Sequence, residues 1–368
     1  MLISGHATLE GTSRFRQRFG DRLPGHFKDA AGLWLSSIGA GTYLGEPDRR
    51  YDELYSAAIG RAIELGVNVI DSAVNYRHQR SERSIGRVLA ELMARGQLQR
   101  EEIFLATKGG FLSFDGDAPD DPSSYFFEQI IESGLARPED VAVDCHVISP
   151  AYLKHQIDVS RKNLGVETID LYYVHNPETQ LGRVSRDEFA GRLRGAFAAL
   201  EEAVSREKIR CYGVATWNAF RVGGDSKEAL DLGEALSAAE DAGGKEHHFR
   251  AVQLPFNFAM PEALVKATQS LAGRSVPLLR AASERDLMVF ASASLLQGEL
   301  AEGLPGEIAR HFPRLKTDAQ RAIQFVRSTP GITCALVGMS QIKHVEENLR
   351  TATVPPLTPS EYQRVFAG

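Results

Sequence analysis

The chain has 368 residues, of which 43% are hydrophobic and 24% charged, and its formal net charge is −6. This composition is typical of a globular protein and excludes a disordered chain, which would hold far fewer apolar residues. The acidic balance argues against general nucleic-acid binding. No apolar run is long enough to span a membrane, and the amino-terminal stretch lacks the apolar core of a signal peptide. The three cysteines, Cys145, Cys211 and Cys334, form no CxxC pair, which is typical of reduced thiols in a cytoplasmic protein.

The chain divides into a polar amino-terminal part and a long region with a regular rhythm. Residues 1–31 are rich in arginine and predict an extended arm or short helix on the main body. Short apolar runs then alternate with helical patterns, as expected of strands buried on both faces of a parallel sheet. The predicted strands are Ser37–Gly41, Val67–Asp71, Ile103–Thr107, Ile169–Val174, Cys211–Val214, Ala251–Leu254, Leu287–Ala291 and Thr333–Val337. The predicted helices are Tyr51–Leu65, Ser81–Arg95, Pro150–Asn163, Arg186–Ser205, Lys227–Asp241, Pro261–Thr268, Val276–Glu284, Thr317–Ser328 and Gln341–Thr351.

Eight strand–helix units favour a parallel (β/α)8 barrel, formed by residues 32–368 as one domain. An open doubly wound sheet is the alternative, but Gly39-Ala40-Gly41-Thr42 lacks the third glycine of a dinucleotide-binding turn. A long insertion, residues 109–149, follows the third strand and holds a short helical pattern, Ser124–Ser133. Because the loops after barrel strands lie at the carboxyl mouth, we expect the insertion to cover that mouth.

Chemically active side chains follow three successive predicted strands. Asp71 ends the second strand with Tyr76 five residues beyond, Lys108 follows the third, and His175 follows the fourth. Because the carboxyl ends of barrel strands share one mouth, these four side chains are expected to lie close together. An ammonium stabilises a phenolate, an aspartate keeps that ammonium protonated, and an imidazole can bind a carbonyl oxygen. The group predicts a general acid for the oxyanion that forms when hydride reduces a carbonyl.

These residues lie in stretches that resemble the aldo-keto reductase superfamily, and the resemblance covers roughly residues 35–366. The stretches are AIELGVNVIDSAVNYRHQRSERSIGRVL, FLATKGG, IDLYYVHNPE, EKIRCYGVATWN, VQLPFNF and PGITCALVGMSQIKHVEENL. The resemblance implies that Asp71, Tyr76, Lys108 and His175 are the family's catalytic tetrad. It also implies a nicotinamide-dependent reductase of a small-molecule carbonyl, on a (β/α)8 barrel that binds its dinucleotide extended across the mouth.

Cofactor contacts follow from the same resemblance. Gln253 matches the glutamine that holds the nicotinamide carboxamide, and Glu347 and Asn348 match the pair at the adenosine end. The family binds the 2′-phosphate or its ribose where a strand end meets a helix N-terminus, which is a natural anion site. The residues at that place are Gly338, Met339 and Ser340.

The sequence departs from the family pattern around the nicotinamide. The family's Ser-Asn pair after the fifth strand is replaced by Ala215-Thr216. The aromatic residue that stacks on the nicotinamide falls at Ser292, so Phe290 or Trp217 is left for that role.

A second departure concerns the 2′-phosphate. Gln341 and His344 occupy the usual places of its basic partner, with Lys343 beside them. Because the family prefers NADP(H), the resemblance implies NADP(H), with NAD(H) as the alternative. The missing basic residue predicts only a modest preference between them.

The sequence as a whole predicts a cytoplasmic NADP(H)-dependent reductase of an aldehyde or ketone, with Tyr76 as general acid. One alternative is a cofactor-binding sensor or regulatory subunit with little turnover, and another is a sugar or polyol dehydrogenase that works in the oxidative direction. No metal site is predicted, because the adjacent Cys145 and His146 cannot easily chelate one ion. Neither nucleic acid nor a membrane is expected as a partner, and the substrate and the oligomeric state are left open.

Overall fold

The computed structural model describes residues 2–366 and has a closed barrel of eight parallel strands at its centre. The barrel strands are β1 (Ile38–Gly41), β2 (Val69–Asp71), β3 (Phe104–Gly109), β4 (Ile169–His175), β5 (Ile209–Ala215), β6 (Phe249–Pro255), β7 (Met288–Ser292) and β8 (Cys334–Gly338). The last strand pairs in parallel with the first, Ala335 lying opposite Ile38, which closes the barrel. The predicted (β/α)8 barrel is confirmed, and each predicted strand overlaps an observed one.

Helices surround the barrel and follow the strands in turn. They are Arg49–Glu64, Arg80–Ala94, Pro150–Leu164, Arg186–Ser205, Leu232–Gly243, Leu278–Ser283, Asp318–Ser328 and Ile342–Leu349. Local signals set their ends: the Ser149 hydroxyl accepts the Tyr152 N–H at one helix start, and Gly165, at φ 70°, ends that helix. The helix predicted from Lys227 begins only at Leu232, because the Asp231 side chain caps it by accepting the N–H of Gly233.

Apolar side chains fill the barrel interior below the mouth. Phe104 and Phe290 stack with ring centroids 5.9 Å apart, and the ring of Tyr173 packs edge-on against Phe290. These side chains are essentially inaccessible to solvent. The barrel interior is therefore a packed core, and in such barrels the ligand site lies at the carboxyl ends of the strands.

The amino-terminal residues form a helix, Leu9–Gln17, and a β-hairpin that pairs Phe27–Ala30 with Leu33–Ser36. The hairpin turn is Ala31-Gly32, and both residues have positive φ, which matches the right-handed twist of the strands. Leu35 on the second hairpin strand is fully buried in the same apolar cluster as the barrel interior.

A buried arginine links the two ends of the barrel sequence. The Arg327 guanidinium is inaccessible to solvent and donates to Ser37 Oγ at 2.9 Å and to the Gly25 carbonyl at 3.4 Å. It also donates to the carbonyls of Thr351 and Val354. This side chain therefore joins the amino-terminal hairpin region, β1 and the carboxyl-terminal segment.

The helix predicted over Val276–Glu284 is present over Leu278–Ser283, whereas the helix predicted over Pro261–Thr268 is largely wrong. The segment instead has a single helical turn, Glu262–Val265, and a hairpin that pairs Ala267–Leu271 with Arg274–Pro277. The hairpin turn is again Ala-Gly, Ala272 at φ 48° and Gly273 at φ 75°. This two-residue turn interrupts the helical pattern and fixes the antiparallel pairing.

The insertion after β3 forms its own small apolar cluster. A short helix, Pro122–Phe126, continues into a π-helical turn, Phe127–Glu132. Ile130, Ala136 and Val147 pack there against Tyr152 of the next barrel helix. The insertion is thus fastened beside the barrel mouth.

Candidate active site

An open cleft of about 850 Å³ occupies the carboxyl mouth of the barrel. Its walls come from the loops after β1, β2, β3, β4, β5, β7 and β8 and from the last barrel helix. The residues that line it include Gly41, Thr42, Tyr43, Tyr51, Tyr55, Asp71, Asn75, Tyr76, Phe111, His175, Trp217, Gln253, Ser292, Ser294, Glu302, Gly338, Ser340, His344, Glu347 and Asn348. All four side chains of the predicted tetrad lie at the floor of this cleft or directly beneath it.

The carboxylate of Asp71 is held at the end of β2 by two neighbours from other strands. Lys108 Nζ, on β3, donates to Oδ1 at 2.5 Å, and Gln253 Nε2, on β6, donates to Oδ2 at 2.8 Å. Lys108 Nζ also donates to the Ser72 carbonyl at 2.6 Å. Because strands β2, β3 and β6 converge at the mouth, one carboxylate joins side chains that are far apart in sequence.

The Lys108 side chain is completely buried, yet it keeps its charge. Burial opposes the ammonium form, but the Asp71 carboxylate and the nearby Tyr76 outweigh it, and the pKa of Lys108 stands above its ordinary value. A protonated lysine is therefore fixed below the floor of the cleft.

Tyr76 lies on the loop that leaves β2. The Val74 N–H donates to the Lys108 carbonyl at 3.2 Å, which holds this loop to β3. The Lys108 ammonium lies 5.0 Å from the Tyr76 ring centroid. Burial raises the pKa of Tyr76 and Lys108 opposes the rise, with the net effect that the pKa stays above its ordinary value. The phenol is therefore protonated at neutral pH and can act as an acid.

A left-handed turn follows Tyr76 and fixes its direction. Arg77, His78 and Gln79 all have positive φ, at 50°, 52° and 71°, which is rare for three successive side-chain-bearing residues. The buried Arg77 guanidinium holds the turn, donating to Asp52 Oδ1 at 2.5 Å and to the Glu46 carbonyl at 2.9 Å. The Arg77 guanidinium thus bonds to other groups of the protein, and Arg77 does not line the cleft.

His175, the last residue of β4, faces Tyr76 across the cleft floor. The two ring centroids lie 5.9 Å apart, and the Phe111 ring packs edge-on against the imidazole at 5.0 Å. Burial, followed by the positive charge of Lys108, lowers the pKa of His175 well below its ordinary value. The imidazole is therefore neutral at physiological pH and can donate one hydrogen bond to a carbonyl oxygen.

Most of the residues predicted to bind cofactor line the cleft on the side of β6 and β8. They are Gln253, Gly338, Ser340, His344, Glu347, Asn348 and Trp217. Met339 does not reach the cleft, because its side chain is buried in an apolar cluster with Val337 and Val345. Gln320 donates to the Glu347 carbonyl at 2.9 Å and ties the last barrel helix to the preceding one.

The charges on the cleft wall are unusual for a site that receives phosphates. Among the described residues that line the cleft, none is a lysine or an arginine. Glu302 and Glu347 line it instead, and the exposed Lys343 does not. The wall therefore offers a 2′-phosphate no permanent cation.

Of the two aromatic residues that could stack on the nicotinamide, Phe290 and Trp217, only Trp217 lines the cleft. Phe290 is buried inside the barrel, so it cannot stack on a ligand. Trp217 lines the cleft and is 40% exposed. Its loop is held by the buried carboxylate of Glu178, whose Oε1 accepts the N–H of Trp217 at 2.6 Å and of Asn218 at 3.1 Å.

Several site residues escaped the interpretation of the sequence. Tyr43 packs edge-on against Tyr76 at 5.1 Å, and Phe111 lines the cleft beside His175. Asn75 lies on the cleft wall, and its buried Oδ1 has no hydrogen-bond partner among residues 2–366. Two sequence positions could have indicated them: Asn75 directly precedes Tyr76, and Phe111 directly follows the Gly109-Gly110 pair.

Other classes of site find no support in the described part of the chain. No group of three or more histidine, cysteine or acidic side chains there could hold a metal ion. No helix of residues 2–366 is long and apolar enough to cross a membrane. All three cysteines are free thiols.

Comparison with known proteins agrees with the fold. The family model described as the aldo/keto reductase family matches residues 37–223, just over half of the chain. The chain is 29% identical over 168 residues to an NADP(+) aldo-keto reductase (yakc) of Schizosaccharomyces pombe, covering 46% of this chain and 38% of that protein. It is 26% identical over 204 residues to an NADH-specific methylglyoxal reductase of Escherichia coli, covering 55% and 52%. The matches thus span about half or less of these relatives.

Solved structures give a broader match at lower identity. An aldo/keto reductase from Klebsiella pneumoniae, in complex with NADP and acetate, aligns with a TM-score of 0.63 at 20% identity, covering 94% of this chain and 95% of that one. This likeness shows the common barrel fold. Together with the family model, it leads to one conclusion: the chain belongs to the aldo/keto reductase family.

Proposed function

We propose that this protein is an NADP(H)-dependent oxidoreductase that reduces an aldehyde or ketone to an alcohol, with Tyr76 as the general acid. The observation that carries the proposal is the meeting of Asp71, Tyr76, Lys108 and His175 at the floor of one open cleft. Four loops or strand ends contribute to this arrangement, and each residue has a chemical environment suited to its role. Small-molecule carbonyl compounds are the proposed partners, in a cytoplasmic setting that suits three free thiols.

The dinucleotide is proposed to bind along the cleft in an extended form. Polar side chains line the cleft along its length. Gln253 and Asn75 lie near Tyr76, and Ser340, Glu347 and Asn348 lie at or in the last barrel helix. The Gln253 amide would hold the carboxamide, and Glu347 and Asn348 would hold the adenosine. Relatives and structural neighbours support the cofactor class, since their names carry NADP(+), NADP or NADH. When bound, the nicotinamide supplies the hydride.

The residues of this chain perform the proton transfer and orient the substrate. Neutral His175 donates a hydrogen bond to the substrate carbonyl oxygen and brings it towards the phenol of Tyr76. As negative charge develops on that oxygen, Tyr76 Oη gives up its proton to form the alcohol. The Lys108 ammonium stabilises the phenolate that remains, and Asp71 keeps the ammonium in place. Because the pKa of Tyr76 lies above its ordinary value, the phenol holds at neutral pH the proton that reduction requires.

The experiment that tests this function is a reduction assay with a panel of aldehydes, ketones and polyols in both directions. We expect NADPH oxidation that depends on an added carbonyl compound and disappears in Tyr76→Phe. Tight cofactor binding without turnover on any carbonyl would favour the sensor alternative. Oxidation of a polyol at neutral pH that is faster than any carbonyl reduction would favour the dehydrogenase alternative.

A further inference from the structure

One buried histidine of the insertion, His146, contacts the backbone of His175 at the floor of the cleft. His146 is inaccessible to solvent, and its Nε2 lies 2.7 Å from the backbone carbonyl oxygen of His175. A carbonyl oxygen can only accept, so Nε2 of His146 carries the proton and donates it.

The other ring nitrogen of His146, Nδ1, accepts a hydrogen bond. Gln180 Nε2 donates to His146 Nδ1 at 2.8 Å, while Gln180 Oε1 accepts from Arg192 Nη1 at 2.5 Å. The arginine fixes the orientation of the amide, and the amide fixes the tautomer of the imidazole. Arg192 also donates to the Glu139 carbonyl, so this relay is anchored in the insertion as well.

The carbonyl of His175 needs this donor because the barrel ladder is interrupted beside it. The pairing of β3 with β4 ends at Gly109 and Val174, and the next N–H, of Gly110, donates to Gln156 Oε1 at 2.7 Å instead. Asn176 then turns the chain away with a left-handed φ of 43°. His146 thus supplies the hydrogen bond that the neighbouring strand does not.

The glycine at the start of the insertion leaves room for this contact. Gly110 has φ 139°, and a Cβ built there would lie 3.0 Å from both His146 Nε2 and the His175 carbonyl oxygen. A larger residue at this position would push between the two groups and would also strain the backbone. The second glycine of the ATKGG stretch is explained by this contact.

Within residues 2–366, no hydrogen bond holds the side chain of His175. Its Nδ1 is buried without a partner, and the ring is positioned by the edge of Phe111, which packs against His146 as well at 4.9 Å. The direction of the imidazole therefore depends on where the backbone of His175 is held.

We propose that His146 is a positioning residue, which fixes the end of β4 so that the His175 imidazole meets the substrate carbonyl. This inference depends on the proposed function in one respect, the role of His175 in binding that carbonyl. The insertion then contributes to catalysis from beneath the cleft floor, through a residue that touches neither substrate nor cofactor.

The test compares His146→Leu with His146→Gln. Leucine removes the donor, whereas glutamine can donate to the His175 carbonyl and accept from Gln180. A displacement of about 1 Å at a reacting group costs about 100-fold in rate, so we expect His146→Leu to lower kcat about 10- to 100-fold. The dissociation constant of NADPH, measured by fluorescence titration, should change less than about twofold, because His146 does not line the cofactor side of the cleft. His146→Gln should recover most of kcat. His155→Leu, at an exposed histidine of the next helix, is the matched control and should leave kcat unchanged.

Two further measurements keep the inference testable if His146→Leu does not fold. The first is Gly110→Ala, which we expect to lower kcat with the same unchanged NADPH affinity. The second is the ¹⁵N chemical shifts of the His146 ring in the wild-type protein, which should show a protonated Nε2 and an unprotonated Nδ1. A folded His146→Leu protein with wild-type kcat, or the opposite tautomer, would overturn the inference. A wild-type protein that reduces no carbonyl compound would instead contradict the proposed function. The His146 tautomer would still test the hydrogen bond from His146 to the His175 carbonyl.

Discussion

The ammonium of Lys108 lies 2.5 Å from the carboxylate of Asp71, and both side chains are buried at the floor of the cleft. Each charge compensates the other, so the loss of either partner leaves a buried charge unpaired. The pair also sets the electrostatic environment of Tyr76, because the lysine stabilises the phenolate while the aspartate opposes it.

Replacement of Tyr76 by phenylalanine removes the proton donor and keeps the aromatic ring. We expect kcat for carbonyl reduction to fall about 10²- to 10⁴-fold, the usual size of general acid catalysis. NADPH affinity should be nearly unchanged, which a binding titration can check. A variant that reduces its substrate near the wild-type rate would show that another group is the acid.

Replacement of Lys108 by methionine should raise the pKa of Tyr76 further, because burial already raises it and the ammonium is what opposes the rise. Each pKa unit corresponds to about 1.4 kcal/mol of lost phenolate stabilisation. Oxidation of an alcohol needs the phenolate as base, so it should fall steeply at neutral pH and partly recover as the pH rises. Reduction needs the protonated phenol, so its rate should fall less. Some loss is still expected, because the phenolate that forms in the transition state no longer has the lysine ammonium beside it.

The measurement is a pair of pH–rate profiles, one in each direction, for wild type and Lys108→Met. Asp71→Asn serves as the comparison variant: it removes a carboxylate that opposes the phenolate, so oxidation at neutral pH should lose less than in Lys108→Met. Equal losses in both directions at every pH would leave Lys108 with a purely structural role.

The cofactor preference should be modest, because no lysine or arginine lines the cleft within the described residues. We expect the ratio of kcat/KM for NADPH over NADH to stay below about 10³, which corresponds to about 4 kcal/mol. Ser340→Arg should bring a cation to the wall and raise NADPH affinity about 10- to 100-fold, because hydrogen bonds to charged groups contribute about 1.5–3 kcal/mol. NADH affinity should not change. Lys343→Ala is the control, and a large loss of NADPH affinity in that variant would reveal a phosphate contact by this exposed lysine.

Glu178 should prove necessary for the loop that carries Trp217. Glu178→Ala leaves two backbone N–H groups without their acceptor, so the free energy of unfolding should fall by about 1–3 kcal/mol in urea titrations. Glu178→Gln retains the Oε1 acceptor and should lose less. Trp217 fluorescence, read in a Trp34→Phe background, should shift to the red in the alanine variant only. An unchanged spectrum would mean that other contacts hold the loop.

The barrel was readable in the sequence because strands buried on both faces are continuous apolar runs, such as Ile169–Val174. The tetrad residues followed, since strand ends determine what reaches the mouth. The two hairpins, at residues 27–36 and 267–277, were not predicted, because each depends on an Ala-Gly turn rather than on an Asn-Gly or Asp-Gly pair. The role of His146 also escaped prediction, because it depends on a contact between the insertion and β4 that no local pattern encodes.

The closure of the barrel by β8 against β1 has a consequence for the protein during its synthesis. A chain emerging from the ribosome presents β1 long before β8 exists, and the Arg327 contacts to Ser37 and Gly25 span 290 and 302 residues. Until the last strand arrives, β1 is an open edge able to pair with other extended chains. Translational pauses late in the message would therefore prolong the aggregation-prone stage, and chaperone demand should be greatest just before β8 leaves the exit tunnel.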